Sequence, residues 1–132
     1  MAIQATLDQV YTDLAAHQFI NLTTFRKNGS PVSTPVTFAR HNDKLYVLTG
    51  VRTGKIKRLR HTSRVELGPC DSKGNTLGPT LAGQARILSR DEADGLKPRL
   101  KLQAPAVLMF FLNLLRGLLK GGNVYLEITL GG

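Results

Sequence analysis

Tryptophan is absent, cysteine occurs once and aromatic residues make up 6% of the 132-residue chain. A lone thiol, Cys70, cannot close an intramolecular disulfide, and with three scattered histidines it makes no metal-ligand set. The few aromatics do not interleave with the cations, so the stacking platforms of nucleic-acid-binding β-barrels are missing. Acidic residues are scarce as well: Asp and Glu total 9 against 18 Lys and Arg, a formal net charge of +9. That balance favours an anionic partner, whether nucleic acid, an anionic membrane or a phosphorylated small molecule. Long apolar runs are also lacking. The longest uncharged stretch, 102–115, contains Gln103, Pro105 and Asn113, whereas a bilayer span takes roughly 20 mostly apolar residues. The first residues carry Asp8 and Asp13 and show neither the cationic start nor the apolar stretch of a signal peptide. A cytoplasmic protein without a membrane span is expected.

What is present fits one domain over residues 1–132, with 42% hydrophobic and 20% charged residues. Gly 13 and Pro 6 separate short apolar runs, which favours a β-rich chain. Leu7, Val10, Tyr11 and Leu14 recur at spacings of three and four and predict an amphipathic helix over Gln4–Ala16. Phe19–Phe25 reads as a strand, and Lys27-Asn28-Gly29-Ser30 as a hairpin whose Asn and Gly both tolerate φ > 0. The return strand Val32–Ala39 contains Pro35 and follows Pro31, so it belongs at an edge or is irregular at those points. A third strand covers Leu45–Thr49. A short basic helix then opens at Thr53, with Ile56 and Leu59 pointing inward. Strands over Arg64–Pro69 and Thr80–Leu88 follow, separated by a turn at Ser72–Asn75. Ser89 and Glu92 form a capping box. A helix over Pro105–Lys120 stops at Gly121-Gly122, and Asn123–Leu130 alternates with Val124, Leu126, Ile128 and Leu130 on one face. The expected fold is mainly β (α+β): a small antiparallel barrel of about six strands with peripheral helices.

Chemistry concentrates between Leu45 and Arg64. Arg52, Lys55, Lys57, Arg58, Arg60 and Arg64 are six of the 18 cations, and no carboxylate interrupts them. Thr49 ends a strand, Gly50 follows, and Thr53 precedes Gly54 and Lys55. Hydroxyls, helix-start amides and a lysine are the donors that converge on a phosphate dianion. The same pattern also suits a solvated basic helix in which Thr53 serves only as its N-cap.

Val47-Leu48-Thr49-Gly50-Val51-Arg52-Thr53-Gly54-Lys55 resembles the strand-to-helix motif of the pyridoxamine-phosphate-oxidase-like flavoproteins. Ser33-Thr34-Pro35-Val36-Thr37-Phe38 stands where that family places its other flavin-lining strand. Gly83-Gln84-Ala85-Arg86-Ile87-Leu88 resembles a later element of the deazaflavin- and flavin-dependent reductase branch. The resemblance covers Phe19–Leu88 and extends to the helix and strand near the C-terminus. It implies a split β-barrel homodimer holding a flavin-type cofactor in an interface groove. By position, Thr49, Thr53 and Lys55 would hold the cofactor phosphate, and Thr34, Pro35 and Val36 would line the ring or the ribityl chain. Lys57 and Arg58 are added from charge and proximity. The chain departs from true pyridoxamine phosphate oxidases at Ser33, Phe38 and Gly54, where they carry Arg, Lys and Arg, and in having no tryptophan. Vitamin B6 oxidation is therefore not expected. The resemblance implies FMN or coenzyme F-420 as the cofactor. The surplus cations from Arg52 to Arg64 favour F-420, whose oligoglutamate tail adds carboxylates to the phosphate.

His17, His41 and His61 are of the residue type suited to proton transfer, but turn and helix-end positions mark His41 and His17 as surface residues. His61, after the basic helix, is placed either to meet an anionic tail or as a neutral spectator among arginines. Cys70, expected in a loop after Pro69, has no histidine partner in view, although Lys73 could lower its pKa. Tyr125 and Glu127 face away from Val124 and Leu126, toward solvent, an interface or a pocket. Three functions compete: a hydride-transferring oxidoreductase acting on a small unsaturated or quinone-like acceptor, a non-enzymatic barrel that carries a flavin or tetrapyrrole-like ligand, and a basic nucleic-acid-binding barrel.

Overall fold

The computed structural model describes residues 9–14, 16–96 and 123–131. A helical turn over 9–14 (α1) precedes β1 (Phe19–Phe25), β2 (Pro31–Thr37), β3 (Ala39–His41) and β4 (Lys44–Gly50). There follow α2 (Gly54–Leu59), β5 (Arg64–Cys70), β6 (Leu81–Ile87), α3 (Arg90–Leu96) and β7 (Asn123–Leu130). All strand pairs are antiparallel, in the order β2-β1-β5-β6-β7-β4-β3.

That order forces the sheet to curl. β2 and β3 occupy opposite edges, yet only buried Phe38 separates them in the chain. One residue spans at most ~3.6 Å, so the two edges must approach each other, and β2 comes close to β4. The result is a barrel with a seam between β2 and β4. The single return strand expected over Val32–Ala39 is thus two strands, which raises the expected six to seven. β2 is an edge strand, as the missing donors of Pro31 and Pro35 require, with Pro31 opposite Phe25 and Pro35 opposite Asn21.

The first hairpin differs in detail from its expected geometry. Gly29 takes φ 87°, whereas Asn28 does not adopt a positive φ. Asn28 acts through its side chain instead: Oδ1 accepts from the Ser30 amide at 3.0 Å and from the Ser30 hydroxyl at 2.7 Å. The left-handed asparagine is Asn42, at φ 55° in the β3–β4 turn.

The barrel is filled by period-two alternation. Ile20, Leu22, Leu45, Val47, Val65, Leu67, Leu126 and Ile128 are each at most 1% exposed. Every such side chain stabilises the fold by about 1.5–3 kcal/mol relative to exposure. Ile56 and Leu59 of α2 join this core, as do Tyr11 and Leu14 of α1. The Tyr11 hydroxyl accepts from the Leu130 amide at 3.2 Å, tying α1 to β7. Before α3 the capping box forms as expected: the Glu92 amide donates to Ser89 Oγ at 3.2 Å, and the Ser89 amide donates to Glu92 Oε1 at 3.1 Å. The helix expected over Pro105–Lys120 lies outside the described residues.

Candidate phosphate site at the barrel seam

β4 ends on its inward side with Thr49, which is 2% exposed. The chain then turns through Val51-Arg52 into α2. Thr53 stands at the N-cap position with extended backbone, φ −72° and ψ 156°, but its side chain makes no cap hydrogen bond. The expected capping role is therefore not filled. The Thr53 hydroxyl donates to the Gly50 carbonyl at 3.0 Å and lies 3.3 Å from the Thr49 hydroxyl. A hydroxyl has one proton, so with Thr53 committed to Gly50 it is Thr49 that donates to Thr53. This chain of bonds fixes the strand-to-helix turn.

α2 carries its cations on two flanks. Ile56 and Leu59 face the core, and at 100° per residue Lys55 and Arg58 share one flank while Lys57 lies nearly opposite Lys55. The half-buried Lys55 reaches across the seam, its ammonium donating to Thr34 Oγ1 on β2 at 3.3 Å. The Arg58 Nε–H donates to Thr24 Oγ1 on β1 at 2.5 Å. Lys57 and Arg60 are exposed. The structure thus brings Thr34, Thr49, Gly50, Thr53, Gly54, Lys55 and Arg58 together and leaves Lys57 apart. Pro35 is half-buried at the seam. Val36 is 3% exposed within the core, so its side chain is occupied by packing and only its backbone can meet a ligand.

The electrostatics of this cluster are one-signed. Burial, then the Arg58 charge, lowers the Lys55 pKa below its ordinary value. Burial, then Arg26, does the same to Arg58. Among the described residues, the charges acting on this pair are therefore cations. Half-buried cations stacked this way gain from an anion that neutralises them, and the surrounding threonine hydroxyls can donate to its oxygens. A phosphate group fits this donor set. Thr24 and Arg26 belong to the cluster although the motif reading did not include them. The signal was present, since Thr24 breaks the inward apolar series of Ile20 and Leu22 on β1 and is 0% exposed.

The other candidates sit elsewhere. His17 is half-buried beside an apolar cleft with Leu14, Pro69 and Leu81, away from α2. His41 ends β3, and His61 is exposed. Cys70 is not in a loop near a helpful lysine: it is the last residue of β5 and 2% exposed. Burial and then Asp71 push its pKa up to about 11, opposite to the expected direction. Glu127 is neither solvated nor idle. It accepts from the Tyr46 hydroxyl at 3.0 Å and pairs with Arg86 at 3.2 Å, on the outer face of β4, β7 and β6. Among the described residues, no helix is long and apolar enough to cross a membrane.

The model of the family described as pyridoxamine 5'-phosphate oxidase matches residues 6–104. The fold is shared with a FAD-binding protein from Mesorhizobium loti at TM-score 0.65 and 16% identity, covering 95% of this chain and 88% of that one. A pyridoxamine 5'-phosphate oxidase-related, FMN-binding protein from Nostoc punctiforme aligns at TM-score 0.56 and 17% identity, covering 98% and 78%. General Stress Protein 26 from Bacillus anthracis aligns at TM-score 0.59 and 18% identity, covering 95% and 88%. No curated protein matches the chain. With three quarters of its length under one family model and the split-barrel architecture around it, the chain belongs to the pyridoxamine 5'-phosphate oxidase family.

Proposed function

We propose that the protein is a flavin-dependent oxidoreductase that holds FMN by its phosphate at the barrel seam and exchanges a hydride with a small unsaturated or quinone-like acceptor. The observation that carries this is the Lys55–Arg58 pair, two half-buried cations braced on Thr34 and Thr24 with, among the described residues, no carboxylate acting on them. Bound flavin supplies the hydride and electron chemistry. Lys55 and Arg58 bind the phosphate, with Thr34 orienting the lysine and Thr24 the arginine. Thr53 can turn its hydroxyl from Gly50 toward a phosphate oxygen, and Thr49 holds it in reach. The backbone of Thr34, Pro35 and Val36 on edge strand β2 lines the ring side. Lys57 then stands outside the site.

The separation of Lys57 and Arg60 from Lys55 favours FMN over coenzyme F-420, whose tail would need cations continuous with the phosphate site. A homodimer fits the same arrangement, because a seam open on one side leaves a cofactor ring half covered and a second copy can close it. Reducing the holoprotein and following its reoxidation by a panel of quinones and activated alkenes tests the activity. Rapid reoxidation by one class supports an oxidoreductase. Tight FMN binding with no reoxidation by any acceptor would leave a flavin carrier instead.

A further inference from the structure

We infer that Gly54 is a specificity-determining residue of the phosphate site, because its missing Cβ makes room for the Arg58 guanidinium to fold back over the first turn of α2 and stand beside Lys55. This deepens the flavin reading and presupposes that the seam holds a cofactor phosphate. A Cβ built on Gly54 would lie 2.5 Å from Arg58 Nη1 and 3.3 Å from both Cζ and Nη2. Real Cβ atoms do not approach so closely, so a side chain at position 54 makes the guanidinium, the far end of a flexible arginine, shift from this place. Gly54 does not owe its presence to backbone conformation, since its φ is not positive. Nor does helix propensity explain it, as glycine is the poorest helix former after proline. What glycine provides is space, and Arg58 fills it.

The folded-back arginine is anchored at its other side. Its Nε–H donates to Thr24 Oγ1, on a side chain that is 0% exposed. With Nε so used, the terminal Nη groups over Gly54 remain to face a ligand. Lys55, adjacent in sequence, presents its ammonium toward Thr34 on the neighbouring strand. Thr24 and Thr34 are diagonal neighbours on the same face of β1 and β2, given the pairings Thr24↔Val32 and Leu22↔Thr34. Two cations set on that diagonal suit a terminal phosphate monoester, which offers three oxygens and two negative charges, more than a neutral ring alcohol.

The test is a double-mutant cycle read by binding to apoprotein, with FMN and its phosphate-free analogue riboflavin as probes. Gly54→Ala and Arg58→Ala are each expected to lower FMN affinity about 10-fold or more, the size of a lost charge-assisted contact, with riboflavin affinity unchanged. The double variant is expected to bind no more weakly than Arg58→Ala alone, since both changes remove the same guanidinium. Thermal unfolding of the apo variants checks that they fold, and Gly54→Ala should not lower the midpoint. Wild-type FMN affinity in Gly54→Ala, or fully additive losses in the double variant, would overturn the pairing. If wild-type protein binds no FMN, the flavin reading fails. The pairing is then judged with inorganic phosphate by the same cycle, where non-additive losses uphold it and additive or absent losses end it.

Discussion

The ammonium of Lys55 donates to the hydroxyl of Thr34 at 3.3 Å, joining helix α2 to edge strand β2 across the barrel seam. Lys55→Ala is expected to weaken FMN binding by about 10–150-fold, the equivalent of roughly 1.5–3 kcal/mol for a charge-assisted contact. Riboflavin binding should be unchanged. Isothermal titration with both ligands separates the phosphate contribution from that of the ring.

Lys55 also sets a pH dependence. Its folded pKa lies below the ordinary 10.5, first through burial and then through Arg58. Between the two values the unfolded chain binds the proton and the folded one does not, so apoprotein stability rises as pH climbs through that window. FMN affinity moves the other way, because the phosphate needs the ammonium, and it should decline before pH reaches 10.5. Both effects are expected to vanish in Lys55→Met, measured by urea denaturation and FMN titration from neutral to alkaline pH.

Thr53→Ala removes the donor to the Gly50 carbonyl and strips the Thr49 hydroxyl of its acceptor. A loss of about 1 kcal/mol is expected. Thr49→Val with Thr53→Ala should cost less than the sum of the two single changes, since they share a bond. A helix cap, by contrast, would make Thr53 act independently of Thr49. Urea midpoints for the three variants decide between these arrangements.

Cys70 is 2% exposed, and its thiol is pushed up to about 11. Native protein at pH 8 is expected to resist iodoacetamide and to be alkylated once unfolded in urea. Fast labelling of the native form would show that the end of β5 opens.

Tyr46 sits under Glu127, and burial together with their hydrogen bond raises its pKa to about 12. The alkaline absorbance change lost in Tyr46→Phe should therefore centre near 12. A centre near the ordinary tyrosine value of 10.0 would place Tyr46 in solvent.

Much of the fold was legible in local pattern. Short apolar runs between turns located β1, β4, β5 and β6, alternation located β7, and the Ile56–Leu59 spacing identified the inward face of α2. The division of β2 from β3 was not legible, because Phe38 is apolar like its neighbours and only barrel closure sends the chain to the other edge. At the site, the motif led to Thr49, Thr53 and Lys55. Residue type and charge could not tell Arg58 from Lys57, and helix phase decides which of them turns to the seam. Nor could Thr53 be separated from a cap, since its hydroxyl prefers the Gly50 carbonyl to the helical amides only in this turn geometry. Thr24 and Arg26 come from a hairpin distant in sequence, so their place beside Arg58 follows from the packing of α2 against β1.

The most direct measurement is titration of purified apoprotein with FMN, riboflavin and coenzyme F-420, followed by flavin or deazaflavin fluorescence, in wild type and Lys55→Ala. FMN is expected to bind more tightly than riboflavin in the wild type, and Lys55→Ala should remove most of that preference. Equal affinity for FMN and riboflavin, unaffected by Lys55→Ala, would contradict a phosphate site at the seam. Stronger binding of F-420, weakened by Lys57→Ala, would contradict the assignment of FMN.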